Sequence, residues 1–194
     1  MCSNNITLIV GLGNPGSEYS LTRHNIGFSI IEYLEQSFNL PLIQETFSTS
    51  YGTGVLFGKN VVLAKPLTYM NLSGTAVEPL ARHFNIAPEN ILVIHDDMDI
   101  EYGKIKIKIQ GGSAGQRGIE SIIHTLGTDA FMRIRIGIGK PVSMIDAAHY
   151  VLENFSKQES DDLKEVIRRT AACIETILTQ GPLAAMNQFH TSDC

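Results

Sequence analysis

Three short segments carry the residue types that chemistry needs. Gly11-Leu12-Gly13-Asn14-Pro15-Gly16 is followed by Thr22-Arg23-His24-Asn25, and His95-Asp96-Asp97 lies much further along the chain. An imidazole titrates near pH ~6.5 and can take a proton from water at neutral pH, which makes His24 the leading candidate for a general base. Such a base works better when a carboxylate fixes its tautomer and stabilises the imidazolium, and Asp96 can serve as that carboxylate. Asn14 and Asn71 are neutral loop residues able to orient a carbonyl or steady an oxyanion. Together these groups point to hydrolysis by an activated water. The glycines of 11–16 also fit the dinucleotide pattern G-x-G-x-x-G. That pattern requires a helix opening on the glycines and a ribose-binding acid ending a second strand about 20 residues on. Here Pro15-Gly16 runs into polar Ser17-Glu18-Tyr19-Ser20, and Glu32 and Glu35 fall in a helical pattern. A dinucleotide oxidoreductase is therefore disfavoured.

Other chemistries leave fainter marks. The acids of His95-Asp96-Asp97-Met98-Asp99 suit a hard cation such as magnesium, but equally suit a solvated turn at a strand end. No zinc-type spacing, nucleophile elbow or P-loop signature is present. Lys104, Lys106 and Lys108 alternate with Ile105, Ile107 and Ile109, and Arg133 and Arg135 repeat the pattern. A basic stripe of this kind can collect nucleic-acid phosphates or simply keep an edge strand from pairing, and pattern alone leaves both open.

The elements that must position these groups alternate along the chain. Ile6–Val10 and Ile91–Ile94 are short apolar runs of buried-strand type, the second delivering His95-Asp96-Asp97 at its C-terminal end. Apolar residues from Ile26 to Phe38 predict a helix over about 24–38. Ser48–Phe57 and Val61–Lys65 flank Gly58-Lys59-Asn60 as a hairpin. Ser73 is placed to cap a helix running to about Phe84. Lys104–Ile109 and Arg133–Ile138 alternate as strands, and an amphipathic helix follows the glycine-rich 111–118 segment. Ser156 and Glu159 have capping-box spacing ahead of a long helix that Gly181-Pro182 ends, with a last short helix at about 182–190. The pattern predicts one α/β domain over 1–194, a three-layer α/β/α sandwich around a mixed, mostly parallel twisted sheet. Sites in such sheets gather beyond the strands' C-terminal ends.

At 194 residues the chain can bury roughly 70% of its unfolded surface. No apolar run is long enough for a membrane span, and the N-terminus has no secretory pattern, so a cytoplasmic protein is expected. Cys2, Cys173 and Cys194 show no paired spacing and read as free thiols. A net charge of −5 argues against a wholesale nucleic-acid coat but leaves room for a local basic patch.

Six segments, taken in order, closely resemble the bacterial peptidyl-tRNA hydrolase family. They are Gly-Leu-Gly-Asn-Pro-Gly (11–16), Thr-Arg-His-Asn (22–25), Tyr-Met-Asn-Leu-Ser-Gly (69–74), His-Asp-Asp-Met-Asp (95–99), Gly-Gly-Ser-Ala-Gly (111–115) and Arg-Ile-Arg-Ile-Gly-Ile-Gly-Lys-Pro (133–141). The resemblance implies a compact, usually monomeric enzyme without metal or cofactor. It would cleave the ester joining a peptide to the 3′ ribose of tRNA, returning tRNA for reuse. By position, His24 matches the family's catalytic histidine and Asp96 its supporting aspartate. Asn14 and Asn71 match the asparagines that bind the peptidyl group. Tyr19 matches the aromatic that meets the tRNA end, and Tyr69 and Met70 fall at the peptide cleft. Lys108 and Arg135 match the pair that clamps the tRNA 5′-phosphate, with Lys106 beside them. One departure stands out. Where the family usually continues His-Asn-Gly, this chain has Gln116-Arg117-Gly118. An arginine carries a fixed charge and accepts no hydrogen bond, so Arg117 would meet substrate differently, for instance at a phosphate of the acceptor end. The same departure is what a non-catalytic RNA-binding relative on this fold could show.

Overall fold

The computed structural model describes residues 6–141 and 146–190. Its frame is a seven-stranded sheet formed by β1 (Thr7–Gly11), β2 (Gln44–Thr46), β3 (Thr49–Leu56), β4 (Lys59–Pro66), β5 (Ile91–Asp97), β6 (Ile105–Lys108) and β7 (Met132–Gly137), in the order β2-β3-β4-β1-β5-β7-β6. The central strands β4, β1, β5 and β7 run parallel, whereas β2, β3 and β6 attach antiparallel at the two margins. β1, the centre of β4 and the first part of β5 are apolar on both faces, as suits strands covered by helices on both sides, whereas β7 carries Arg133 and Arg135 on one face. Ile9, Leu63, Leu92 and Ile94 pack toward α1 (Ile26–Ser37), α5 (Lys157–Gln180) and α6 (Pro182–Phe189). Leu8, Val10, Val62 and Val93 pack toward α2 (Ser73–His83) and α3 (Arg117–Leu126). The expected α/β sandwich is the observed one. A further short helix, α4 (Ala147–Val151), has its N-terminus capped by the Asp146 carboxylate.

Several local expectations shift. The 24–38 helix divides at Asn25, whose φ of −94° and ψ of 10° leave the helical region. His24 therefore sits in a separate 3-10 turn, Arg23–Asn25, just ahead of α1. Ser73 is not a cap: it is the first residue of α2, and its hydroxyl donates back to the Met70 carbonyl at 2.8 Å. The β3–β4 hairpin turns on Phe57-Gly58 alone, both at positive φ, while Lys59 and Asn60 are already paired strand residues. That is the two-residue turn whose twist matches the strands. The Ser156/Glu159 capping box forms as expected. Burial pushes the Cys173 thiol up to about 12; Cys2 and Cys194 lie outside the described residues.

Two contacts place the site within this frame. Gly11 at the end of β1 meets Gly27 in the first turn of α1 so closely that a Cβ on Gly11 would lie 2.1 Å from the Gly27 carbonyl oxygen. A Cβ on Gly27 would lie 2.4 Å from the Leu12 nitrogen and 2.6 Å from the Ile94 carbonyl oxygen. Glycine at both positions lets the start of α1 rest directly on the ends of β1 and β5. The second contact ties α6 to the sheet margin. The His190 ring accepts the Ile107 N–H at 2.7 Å, covering a donor on β6, an edge strand.

Gly27→Ala is expected to cost about 3 kcal/mol or more, since the clash is with backbone just past β1 and on β5. Urea unfolding of the variant checks this, and a midpoint equal to wild type would refute the tight contact.

Candidate active site

The 3-10 turn at Arg23–Asn25 is held on three sides. Arg23 is buried, with its guanidinium 4.4 Å above the Tyr150 ring. It donates to the Asn154 carbonyl and to Glu159, each at 2.8 Å. Asn25 exchanges two hydrogen bonds with the backbone of Asn14: its Oδ1 accepts the Asn14 N–H at 2.8 Å and its Nδ2 donates to the Asn14 carbonyl at 2.9 Å. The Asn14 side chain continues the chain of contacts, its Oδ1 accepting the Met70 N–H at 2.8 Å. The turn bearing His24, the 11–16 loop and the 69–72 segment are thus stitched together by two buried amides. No helix opens on Gly11–Gly16, because the chain passes instead into a 3-10 turn at Ser17–Tyr19. The dinucleotide pattern is therefore coincidental. Because the Asn14 oxygen is committed to Met70, its Nδ2 is the group left for a substrate.

Strand alternation sets Asp96 on the same face as Leu92 and Ile94, the face against which α1 packs. Its Oδ2 lies 2.8 Å from His24 Nδ1. Asp96 is 2% exposed. Burial opposes its charge, but the charge and hydrogen bond of His24, then His95 and the Gln116 amide, outweigh burial and hold the carboxyl below its ordinary range. An ionised Asp96 accepts only, so the neutral imidazole must carry its proton on Nδ1 and leave the Nε2 lone pair free.

His24 and Asp96 line a cleft of about 570 Å³. Asn14, Tyr19, Tyr69, Met70, Asn71 and Arg117, the remaining cleft residues expected from sequence, line it as well. Asp99, the 114–117 loop and α4 with its cap Asp146 complete the wall. Met70 is buried, Asn71 and Arg117 are exposed, and Tyr69 is more than half exposed.

The acids that follow Asp96 are engaged by cations. Asp97 accepts from Arg135 Nε at 2.7 Å, and Asp99 pairs with Lys140 at 2.9 Å. Among the described residues no group of three or more His, Cys, Asp or Glu is placed to hold a metal ion.

The basic residues lie apart from the cleft lining. Lys106 faces Arg135, and Lys108 faces Arg133, across the β6–β7 pairing. Arg133 is buried and spends its guanidinium on the carbonyls of Gly111, Gly112 and Asp129, so it shapes the glycine-rich loop and leaves phosphate contact to its neighbours. Lys108 Nζ reaches the Gly112 carbonyl at 3.4 Å, and Lys106 Nζ reaches the His190 carbonyl at 3.2 Å. Arg135 gives only its Nε to Asp97. The loop at 111–117 therefore links the basic strands to the cleft wall.

Sequence patterns pointed to Arg117 as the consequential departure, yet the residue joined to Asp96 is Gln116. Asn25, whose amide holds the 11–16 loop, was likewise not singled out. An amide paired to backbone leaves no periodic trace in a sequence.

The model of the family described as peptidyl-tRNA hydrolase matches residues 8–194. The chain belongs to the peptidyl-tRNA hydrolase family. A relative from Geobacillus thermodenitrificans, named peptidyl-tRNA hydrolase, is 46% identical over 94% of this chain and 98% of its own. One of the same name from Bacillus subtilis is 44% identical over 94% and 97%. The crystal structure of peptidyl-tRNA hydrolase from Acinetobacter baumannii superposes with a TM-score of 0.89 at 39% identity, covering 97% of this chain and 96% of that one. Fold and family thus agree with the expectation from the six segments. Among the described residues no helix is long and apolar enough to cross a membrane.

The buried His95 gives a stability signature. Burial drives its pKa below the usual value despite the opposing charges of Asp96 and Asp97, and Arg135 adds to the lowering. His190 shifts the same way through burial and Lys106. Both are neutral in the fold and free to charge when unfolded, so the unfolded chain takes up protons first. Their contribution is complete above about pH 6.5 and declines below it, by at most about 1.4 kcal/mol per pH unit for His95. Urea midpoints should fall between about pH 7.5 and about pH 5.5, and His95→Gln should narrow that fall. An equal fall in the variant would remove His95 as a cause.

Proposed function

We propose that this protein hydrolyses the ester between a peptide, or an N-blocked amino acid, and the 3′ ribose of tRNA. It would act as a cytoplasmic monomer in which the whole chain serves as one catalytic domain. The observation that carries the proposal is the 2.8 Å bond from His24 Nδ1 to a buried, ionised Asp96 at the wall of the cleft, in a chain of this family.

In the proposed reaction His24 Nε2 takes a proton from water as the water oxygen attacks the ester carbonyl carbon. Asp96 stabilises the imidazolium that forms. The Asn14 Nδ2 and the Asn71 amide donate to the carbonyl oxygen as it gains negative charge, a role that favours preorganised neutral donors. The tetrahedral intermediate then breaks its bond to the ribose oxygen, and the imidazolium returns the proton to that oxygen. The products are a peptide carboxylic acid and free tRNA. Met70 and Tyr69 offer apolar surface to the peptide, Tyr19 a ring to the terminal base, and Arg117 a cation to substrate at the mouth of the cleft. Lys108 and Arg135 are assigned to the 5′-phosphate region, with Arg135 using the terminal nitrogens that Asp97 leaves unused. Lys106 contributes less, since its ammonium already meets the His190 carbonyl. A non-catalytic RNA-binding protein on the same fold would not need the His24–Asp96 pairing.

With an N-acetylated aminoacyl-tRNA as substrate, His24→Ala should lower kcat by about 10²–10⁴ while tRNA affinity persists. Near-normal turnover would end the proposal. Lys108→Ala should instead raise KM and flatten the dependence on salt, because one phosphate contact is lost. Unchanged KM and salt slope would remove Lys108 from the tRNA interface.

A further inference from the structure

We infer that Gln116 is a positioning residue for this reaction: one side-chain amide caps α3 and holds the second oxygen of Asp96, fixing the carboxylate that orients His24. The inference rests on the proposed roles of His24 and Asp96 and adds a residue to them.

The orientation of the amide is dictated from outside the site. Gln116 Oε1 accepts the Ile119 N–H at 2.8 Å, and a backbone N–H can only donate, so the oxygen must face the helix. The Nε2 group is then turned the other way. It donates to Asp96 Oδ1 at 3.2 Å and lies 3.3 Å from the Met70 sulfur. A flipped amide would set nitrogen against the Ile119 N–H and oxygen against a carboxylate, two repulsive pairs, so the cap selects the productive orientation. Space for the arrangement comes from Gly118, where a Cβ would lie 2.5 Å from the Met70 sulfur and 3.0 Å from Gln116 Oε1.

The need for the amide follows from burial. Asp96 is almost wholly removed from water, and His24 satisfies only Oδ2. A buried carboxylate oxygen without a donor is costly, and a carboxylate held at one oxygen is free to swing. The charged or titratable neighbours that act on Asp96 are His24 from the turn ahead of α1 and His95 from its own strand, and Gln116 supplies the neutral third contact from α3. The helix start thereby transmits its own position to the dyad. In this chain the departure from the family's His-Asn pair thus has two separable parts: Gln116 faces inward to the acid, and Arg117 stands at the cleft mouth.

Two substitutions separate a cap from a positioning residue. Gln116→Ser keeps a side-chain acceptor for the first N–H groups of α3 but is too short to reach Asp96, so only the donor to the carboxylate is lost. Gln116→Met removes both functions. With N-acetylated aminoacyl-tRNA, kcat should fall roughly ten- to a hundredfold in each while KM stays near wild type. The acid limb of the pH profile of kcat/KM should move upward in both, because a carboxylate that has lost a donor keeps more of its charge for the imidazolium. Melting should drop in Gln116→Met and drop less in Gln116→Ser, which retains the cap. If Gln116→Ser keeps both its kcat and its acid limb, the amide is a helix cap only and the inference is overturned. His24→Ala run alongside separates the levels: retained turnover there would bring down the hydrolytic roles as well, whereas inert Gln116 variants beside a dead His24→Ala would bring down this inference alone.

Discussion

The site depends on one backbone contact, the approach of Gly27 in α1 to Gly11, Leu12 and Ile94 at the ends of β1 and β5. A side chain at either glycine would clash with backbone and force the start of α1 away from the sheet. Because the helix begins so close, the turn just ahead of it hangs over the end of β5, where Asp96 emerges. The same closeness lets Asn25 pair with the backbone of Asn14 and lets Asn14 in turn hold Met70. His24, Asn14 and Met70 are thus located by rigid elements through short links, the kind of support a reactive geometry needs.

Around that frame the electrostatics are arranged in layers of decreasing burial. Asp96 is innermost and meets an imidazole and an amide. Asp97 is next and is neutralised by Arg135, while Asp99 at the surface pairs with Lys140. Among the described residues the innermost acid therefore has no full counter-cation; in the proposed reaction the imidazolium becomes one. In that proposal Asp96 stabilises the imidazolium at the moment a proton is taken from water, which is when stabilisation is useful. Farther out, Arg133 ties the glycine-rich loop to β7, so the wall that carries Gln116 and Arg117 is fixed to the strands that carry Lys108 and Arg135.

Much of the fold was legible because its signals are local or strongly periodic. The apolar runs of β1 and β5, the capping box of α5 and the stop at Gly181-Pro182 each state their structure within a few residues. Strand β2 was missed because all its residues are exposed and show no apolar alternation. The hairpin turn was displaced because Phe57 adopts a positive φ that its side chain does not advertise. In the site, His24 and Asp96 were legible by residue type, which offered their partnership as one option, and the resemblance to a family singled it out. Their 2.8 Å contact spans 72 positions and has no local cause. Asn25 and Gln116 were illegible for a related reason: their amides act on groups that only the folded chain brings near. Gln116 also lay one residue from a substitution, Arg117, that draws more notice because it changes charge.

The central claim is that an ionised, fully held Asp96 keeps His24 in the tautomer with its proton on Nδ1. Nitrogen chemical shifts of the His24 ring, read from a long-range proton–nitrogen correlation spectrum at a pH where the imidazole is neutral, measure this directly. The expected spectrum has a protonated-type Nδ1 and a pyridine-type Nε2, the pattern of a base whose lone pair faces the cleft. A pyridine-type Nδ1 with the proton on Nε2 would contradict the account, because His24 could then neither be held by the Asp96 carboxylate as described nor take a proton from water.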